Sequence, residues 1–233
     1  MNYQLECDRI IDETGNGTSL LLHSCCAPCS SYVLVYLRKY FRVTVLYYNP
    51  NIASREEYEH RKSEELRLID ILNKEREDGT AEGEVYPIGF LDCDHGPEDF
   101  LRIAKGREFC PEGGERCLKC YELRMGRTAE EAKKGGFDLF ATTLTVSPLK
   151  KAEALNTIGL KLQEKYGVRY LVSDFKKRDG YLTSIRMSEK HCLYRQCFCG
   201  CAYSLRDRML KEKEKELQNA ASGQMKDKGE FDG

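Results

Sequence analysis

Tryptophan is absent from the 233 residues, and so is any apolar run near the roughly 20 residues that a bilayer-spanning helix needs. The first ten residues, MNYQLECDRI, lack the basic-then-apolar pattern of a secretory leader, which predicts a cytoplasmic protein. Net charge is almost absent as well, with 37 Lys and Arg against 38 Asp and Glu. There is no internal repeat and no low-complexity linker before the C-terminal end, so one large domain with a tail is the best fit to the length. A hydrophobic content of 41% beside 32% charged residues allows a real core and excludes global disorder. What the chain has in excess is cysteine: 12 residues in a presumed reducing compartment. A cytosolic chain of this length has no need of disulfide staples, so the thiols point to metal or redox chemistry.

The apolar pattern alternates between strand and helix. Thr18–Ser24 (TSLLLHS) reads as a short buried strand, Ser30–Phe41 as a helix, and Arg42–Tyr48 (RVTVLYY) as a second strand closed by Asn49-Pro50. A long charged helix is expected over Glu56–Arg76, with Leu66, Ile69 and Leu72 on one face. A strand over Glu84–Phe90, helices over Pro97–Lys105 and Gly114–Lys134, a strand over Phe137–Leu144, a helix over Lys151–Tyr166 and a fifth strand over Val168–Ser173 complete the series. This alternation predicts an α/β fold: a mostly parallel sheet with helices on both faces, three-layered and Rossmann-like. Residues 1–17 are expected to form an N-terminal extension, 18–205 the α/β domain, and 206–233 a charged helix followed, from Ala220, by a mobile tail. Ligands of such sheets collect beyond the carboxyl ends of the strands, where a cysteine-rich metal site is expected here.

Seven cysteines fall into three clusters. Cys25, Cys26 and Cys29 (SCCAPC) lie between the first strand and the next helix, where a helix N-terminus favours thiolate over thiol. Cys117 and Cys120 share one helix face, being three residues apart. Cys199 and Cys201 flank Gly200, which lets the two sulfurs fold toward each other. Cys7, Cys93, Cys110 and Cys192 read as packing or free thiols, and Cys197 stands beside the Cys-Gly-Cys pair without a defined part. Four thiolates from the CC and CxxC pairs suit zinc or an iron–sulfur cluster. The pairs are far apart in sequence and one sits at a ligand-binding strand end, which favours an active-site metal, with the remaining thiols suiting a second metal or a dithiol. A thiol–disulfide oxidoreductase built on Cys26-Ala27-Pro28-Cys29 remains an alternative, opposed by the extra Cys25, the missing tryptophan and the other two clusters. A zinc-stabilised RNA-binding module without catalysis is another. A sulfur-carrying tRNA thiolation enzyme is disfavoured, since HSCCAPC stands where a glycine-rich nucleotide loop would be.

The near-zero charge hides two opposed halves. Residues 51–100 carry 6 basic and 15 acidic side chains, a net −9, whereas residues 147–195 carry 11 basic and 5 acidic, a net +6. Lys150, Lys151, Lys176, Lys177 and Arg178 follow the fourth and fifth strands and would overhang the same sheet edge as the cysteines. A basic rim of this kind suits RNA phosphates, and Tyr181, Tyr194 and Phe198 are candidates for stacking on a base.

The motifs HSCCAPC, YYNPNI, ERCLKCYELRM, FDLFATTLTVSPLKK, DFKKRDGY and YRQCFCGC, in this order from about Leu20 to Ser204, resemble the QueH-type epoxyqueuosine reductases. The resemblance implies the last step of queuosine synthesis, reduction of the epoxide of epoxyqueuosine at the tRNA wobble position, with an electron donor that it does not identify. It also implies a 4Fe-4S cluster on Cys25, Cys26, Cys117 and Cys120, an additional iron with Cys29 as a ligand, and a pair at Cys199 and Cys201 that forms a redox-active disulfide, the preferred role, or helps to hold metal. Cys197 departs from the expected pattern, in which a polar residue is more usual. The reaction needs two electrons and two protons and releases water; Tyr48, Asp174 and Tyr181 are candidate proton donors. His23, inside the first strand, is expected to pack rather than to act as an acid.

Overall fold

A computed structural model describes residues 2–14 and 16–227. The chain divides into two compact units, residues 1–195 and residues 196–233.

The first unit is built on a five-stranded sheet. Helix α1 (Tyr3–Thr14) precedes β1 (Thr18–His23), α2 (Ala27–Leu37), β2 (Phe41–Tyr47), α3 (Arg55–Glu77), β3 (Gly89–Asp92), α4 (Pro97–Ala104), α5 (Glu115–Lys134) and β4 (Leu139–Thr142). A 3-10 turn (Thr143–Val146), α6 (Ala152–Tyr166), β5 (Arg169–Tyr170) and α7 (Gly180–Lys190) follow. The strand order is β3-β2-β1-β4-β5 and every pairing is parallel. Right-handed crossovers from β1 outward through β2 to β3, and from β4 to β5, place α2 and α3 on one face and α5 and α6 on the other. The packing agrees: α2 lies against α3 and α7, and α5 lies against α6, β1 and β4. The connections therefore reverse direction between β1 and β4, the switch point at which such sheets bind ligands.

The strands form where apolar residues are continuous. Leu20, Leu21, Leu22 and His23 are all buried because β1 is central and covered on both faces. In α5 the buried positions Tyr121, Met125, Ala129 and Ala132 recur at three and four residues, as an amphipathic helix requires. Helix α1 also belongs to the core, through Cys7, Ile10 and Ile11.

Four sequence expectations need correction. Helix α2 starts at Ala27 rather than Ser30, because Pro28 suits the first turn and extended Cys26 opens it, which brings Cys29 into that turn. The third strand is Gly89–Asp92, later than expected. The fifth covers only Arg169–Tyr170, because β4 turns away into the 3-10 segment; the side chain of Asn156 then satisfies the backbone of Ser173, donating 2.9 Å to its carbonyl and accepting 3.1 Å from its N–H. The buried face of α3 is Tyr58, Arg61, Glu65, Leu68, Ile69 and Leu72, and Leu66 is exposed. Reading apolar residues alone misses a face that carries buried Arg61 and Glu65.

In the second unit, the segment through Cys197–Cys201 enters helix α8 (Ala202–Asp227). The mobile tail expected from Ala220 is helical in its backbone as far as Asp227, and its remainder, 228–233, lies outside the described residues.

Candidate metal and redox site

The end of β1 and the start of α2 gather three thiols. The Cys25, Cys26 and Cys29 sulfurs all lie within 4.8 Å of one another, and those of Cys25 and Cys26 are 3.7 Å apart. Cys26 has extended backbone and precedes the helix, so its carbonyl accepts from the N–H of Cys29 and of Ser30, both at 3.1 Å. The N-terminal end of α2, with its partial positive charge, therefore faces the trio. Thr143 closes the site from the β4 side: its hydroxyl accepts from the Cys25 N–H at 3.4 Å and donates to the Cys25 sulfur at 3.7 Å.

The trio does not titrate as three ordinary thiols. Hydrogen bonds from the Cys26 and Cys29 thiols hold Cys25 well below the usual range, and the charges of Lys150 and Arg124 act the same way. Their bonds to the Cys25 sulfur push Cys26 up to about 12 and Cys29 well above its ordinary value. The three sulfurs form one hydrogen-bonded group in which Cys25 is the most readily ionised, a soft donor set suited to iron or zinc.

Cys29, expected from the sequence to serve an additional metal, lies in the same 4.8 Å group as Cys25 and Cys26. Cys117 and Cys120 fall outside that 4.8 Å group. They occupy the first turns of α5, which runs antiparallel to the strands and so begins at their carboxyl edge. Arg124, four residues after Cys120 and seven after Cys117, shares their face. It donates through Nε to His23 Nε2 at 3.2 Å and through Nη2 to Asn49 Oδ1. The cysteine face of α5 is thus pinned at the end of β1, two residues before Cys25. Cys25, Cys29 and Cys117 all pack, half-buried, against the same core, and Cys120 is buried.

His23 is a packed residue, fully buried between these groups. Because Arg124 donates to Nε2, the proton sits on Nδ1 and is donated to Thr142 Oγ1 at 3.0 Å. Burial, helped by Arg124, pushes its pKa down to about 3, so it stays neutral.

Two further residues escaped the sequence reading. Buried Arg116 donates from Nη1 to the carbonyls of Arg107, Glu108 and Cys110 at 3.1, 3.1 and 2.7 Å, shaping the loop that leads to Cys117. Its adjacency to Cys117 was the only available signal. Glu65 of α3 is fully buried beside Ser30, whose Oγ lies 2.7 Å from both carboxylate oxygens, 3.0 Å from the Cys26 carbonyl and 3.3 Å from that of Ala27. One hydroxyl proton cannot serve all these acceptors. A protonated Glu65 that donates to Ser30, leaving Ser30 to donate to Cys26, resolves the conflict. Burial raises the Glu65 pKa to about 7.

The candidate proton donors separate. Tyr48 donates to Asp99 at 2.7 Å and burial raises its pKa, while Asp174 is buried and paired with Lys176. Tyr181 lines a recess of about 100 Å³ together with Pro28, Cys29, Pro148, Leu149 and Arg195. Tyr194, a candidate for base stacking, instead stacks on His60 at 4.2 Å and donates to Glu57 at 3.2 Å. Of the basic residues, Lys150 acts on Cys25, exposed Lys151 precedes α6, and exposed Lys177 follows the ion-paired Lys176.

In the second unit, the Cys199 and Cys201 sulfurs stand 3.5 Å apart as thiols. Gly200 has φ of +109°, a conformation that a side chain at this position would strain. The Cys201 sulfur accepts from the Ser204 N–H at 3.3 Å in the first turn of α8, and the Ser204 hydroxyl lies 3.1 Å from Cys199. Sharing a proton with Cys199 raises the Cys201 pKa.

A parallel α/β sheet with a thiol-rich group at its switch point defines a protein of the doubly wound class whose clustered cysteines could hold a metal ion. Residues 20–207 match the family model described as epoxyqueuosine reductase QueH. Similar proteins bear that same name. One from Streptococcus pyogenes serotype M1 is 37% identical over 87% of this chain and 79% of its own length. One from Staphylococcus epidermidis is 35% identical over 88% and 84%. One from Haemophilus influenzae is 37% identical over 81% and 72%. The chain belongs to the QueH family and is an oxidoreductase by that membership. Among the described residues, no helix is long and apolar enough to cross a membrane.

Proposed function

We propose that this protein reduces the epoxide of epoxyqueuosine at the wobble position of tRNA, forming queuosine. The observation that carries the reading is the gathering of Cys25, Cys26 and Cys29 within 4.8 Å at the sheet's switch point, in a chain of this family. A set of soft sulfur donors, in which the neighbouring thiols and the charges of Lys150 and Arg124 favour ionisation of Cys25, fits an iron–sulfur group. Cys25, Cys26, Cys117 and Cys120 would hold a 4Fe-4S cluster, and Cys29 would be a ligand of an additional iron. Such a group supplies single electrons and Lewis acidity toward the epoxide oxygen.

The chain's own residues supply the rest. Loss of the epoxide oxygen as water consumes two electrons and two protons, the amount released when Cys199 and Cys201 pass from dithiol to disulfide. An external electron donor then restores the dithiol. Tyr181, in the recess that Cys29 lines, is the proton donor that the geometry favours. Lys150, Lys151, Lys176 and Lys177 supply the phosphate contacts, and the reaction belongs in the cytoplasm, where tRNA is modified.

Anaerobic purification tests the cofactor: a brown protein with broad visible absorbance and bound iron is expected, and a colourless zinc protein would overturn the assignment. For the function, tRNA from a strain lacking this protein should accumulate epoxyqueuosine. Normal queuosine in that strain, with no second reductase present, would refute it.

A further inference from the structure

The recess beside Cys29 has an apolar rim. Leu149 lines it and is 75% exposed at the tip of a turn. The turn is rigid. The Lys150 N–H donates to the Ser147 carbonyl at 3.2 Å and Pro148 occupies the second position, which places Leu149 third. On one side the Ser147 N–H is tied to the Leu144 carbonyl at 3.3 Å, and on the other Lys151 precedes α6. The short 3-10 segment that leads into this turn begins with Thr143, which contacts Cys25. Lys150 and Lys151 follow directly, and the charge of Lys150 is felt at Cys25. A preorganised apolar tip flanked by two lysines, beside a reactive site, matches the way proteins enter a nucleic-acid stack: cations hold the backbone while an apolar wedge separates neighbouring bases.

A device of this kind serves the proposed substrate. Moving a modified base out of an RNA-loop stack carries its epoxide-bearing substituent deeper into a recess beside the loop, and the vacated space must then be filled. We propose that Leu149 is the wedge that enters the anticodon-loop stack beside the target nucleotide and keeps that nucleotide extruded toward Cys25, Cys26 and Cys29. This inference rests on the tRNA-reductase reading above. Leu149 is a positioning residue; it takes no part in the chemistry.

The test uses the full-length protein and an anticodon stem-loop RNA with 2-aminopurine next to the wobble position, whose fluorescence rises when it unstacks. Wild type and Leu149→Met should both raise the fluorescence of bound RNA, since methionine retains an apolar side chain of similar length. Leu149→Ala should bind RNA yet leave the fluorescence near that of free RNA. Its reduction rate should fall by at least about tenfold more on the epoxyqueuosine stem-loop than on a trinucleotide, since only the stem-loop carries the unstacking cost. Equal fluorescence per bound RNA for Leu149→Ala and wild type would overturn the wedge, as would the absence of any rise with wild type. Rate losses equal on the two substrates would do the same. Failure of wild type to reduce the epoxide in either substrate would instead sink the reductase reading, while the fluorescence comparison would still decide the role of Leu149.

Discussion

Replacing Glu65 by glutamine should stabilise the protein above neutral pH and leave it almost unchanged in mild acid. Glu65 is fully buried, the groups hydrogen-bonding to it are the Ser30 and Ser24 hydroxyls, and burial raises its pKa from 4.5 to about 7. In the unfolded chain the carboxyl loses its proton near the ordinary value, whereas the folded protein retains it until about pH 7. Between those limits the unfolded state binds fewer protons, so wild-type stability falls as pH rises from about 4.5 to about 7 and levels off beyond. A shift of about 2.5 units at about 1.4 kcal/mol each amounts to roughly 3 kcal/mol. Glutamine keeps the shape and both hydrogen-bonding functions of the neutral acid but does not ionise. Its advantage over wild type should therefore grow from near zero at about pH 4 to roughly 3 kcal/mol at about pH 8. Urea unfolding of both proteins across this range, anaerobically and at equal iron content, measures the difference directly. A difference that does not change with pH would refute a neutral Glu65, and with it the hydrogen-bond chain from Glu65 through Ser30 to the Cys26 carbonyl.

Other outcomes are equally specific. Cys117→Ala should lose bound iron and activity together, read by visible absorbance and by epoxide reduction; retained absorbance would remove Cys117 from the ligand set. Cys199→Ser should keep most of the visible absorbance yet stop turnover, whereas loss of the chromophore would make Cys199 a ligand. Changing Lys176 and Lys177 to alanine should weaken tRNA binding and flatten its salt dependence, by about 0.7 to 0.9 in slope for each phosphate left without its lysine. The Lys177 change should account for most of this, since Lys176 is already paired with Asp174. Gly180→Ala should cost about 3 kcal/mol in chemical unfolding, because the methyl group would lie 1.9 Å from the Phe175 carbonyl oxygen and 2.5 Å from the Tyr32 ring.

Much of this molecule is written in local patterns. The strand–helix alternation predicted a parallel α/β sheet because a strand covered on both faces must be almost wholly apolar, as Leu20–Leu22 is, while the surrounding helices show a period near four. The order and spacing of the cysteines, read with HSCCAPC, ERCLKC and CFCGC, identified the family. Those features are properties of neighbours along the chain, so a linear reading reaches them. Others depend on which distant residues meet. Arg124 joins α5 to His23 and Asn49, three segments whose proximity follows from the crossover between β3 and β4. Glu65 lies in a helix rich in exposed charge, and only the packing of α3 beside α2 shows that this carboxyl is enclosed beside Ser30. The same distinction holds for the cysteines. Twelve thiols in a chain without tryptophan announce redox or metal chemistry from composition alone. That Cys29 joins Cys25 and Cys26 in one group depended on where α2 begins, and a helix start is a balance between local capping and the packing of the whole turn.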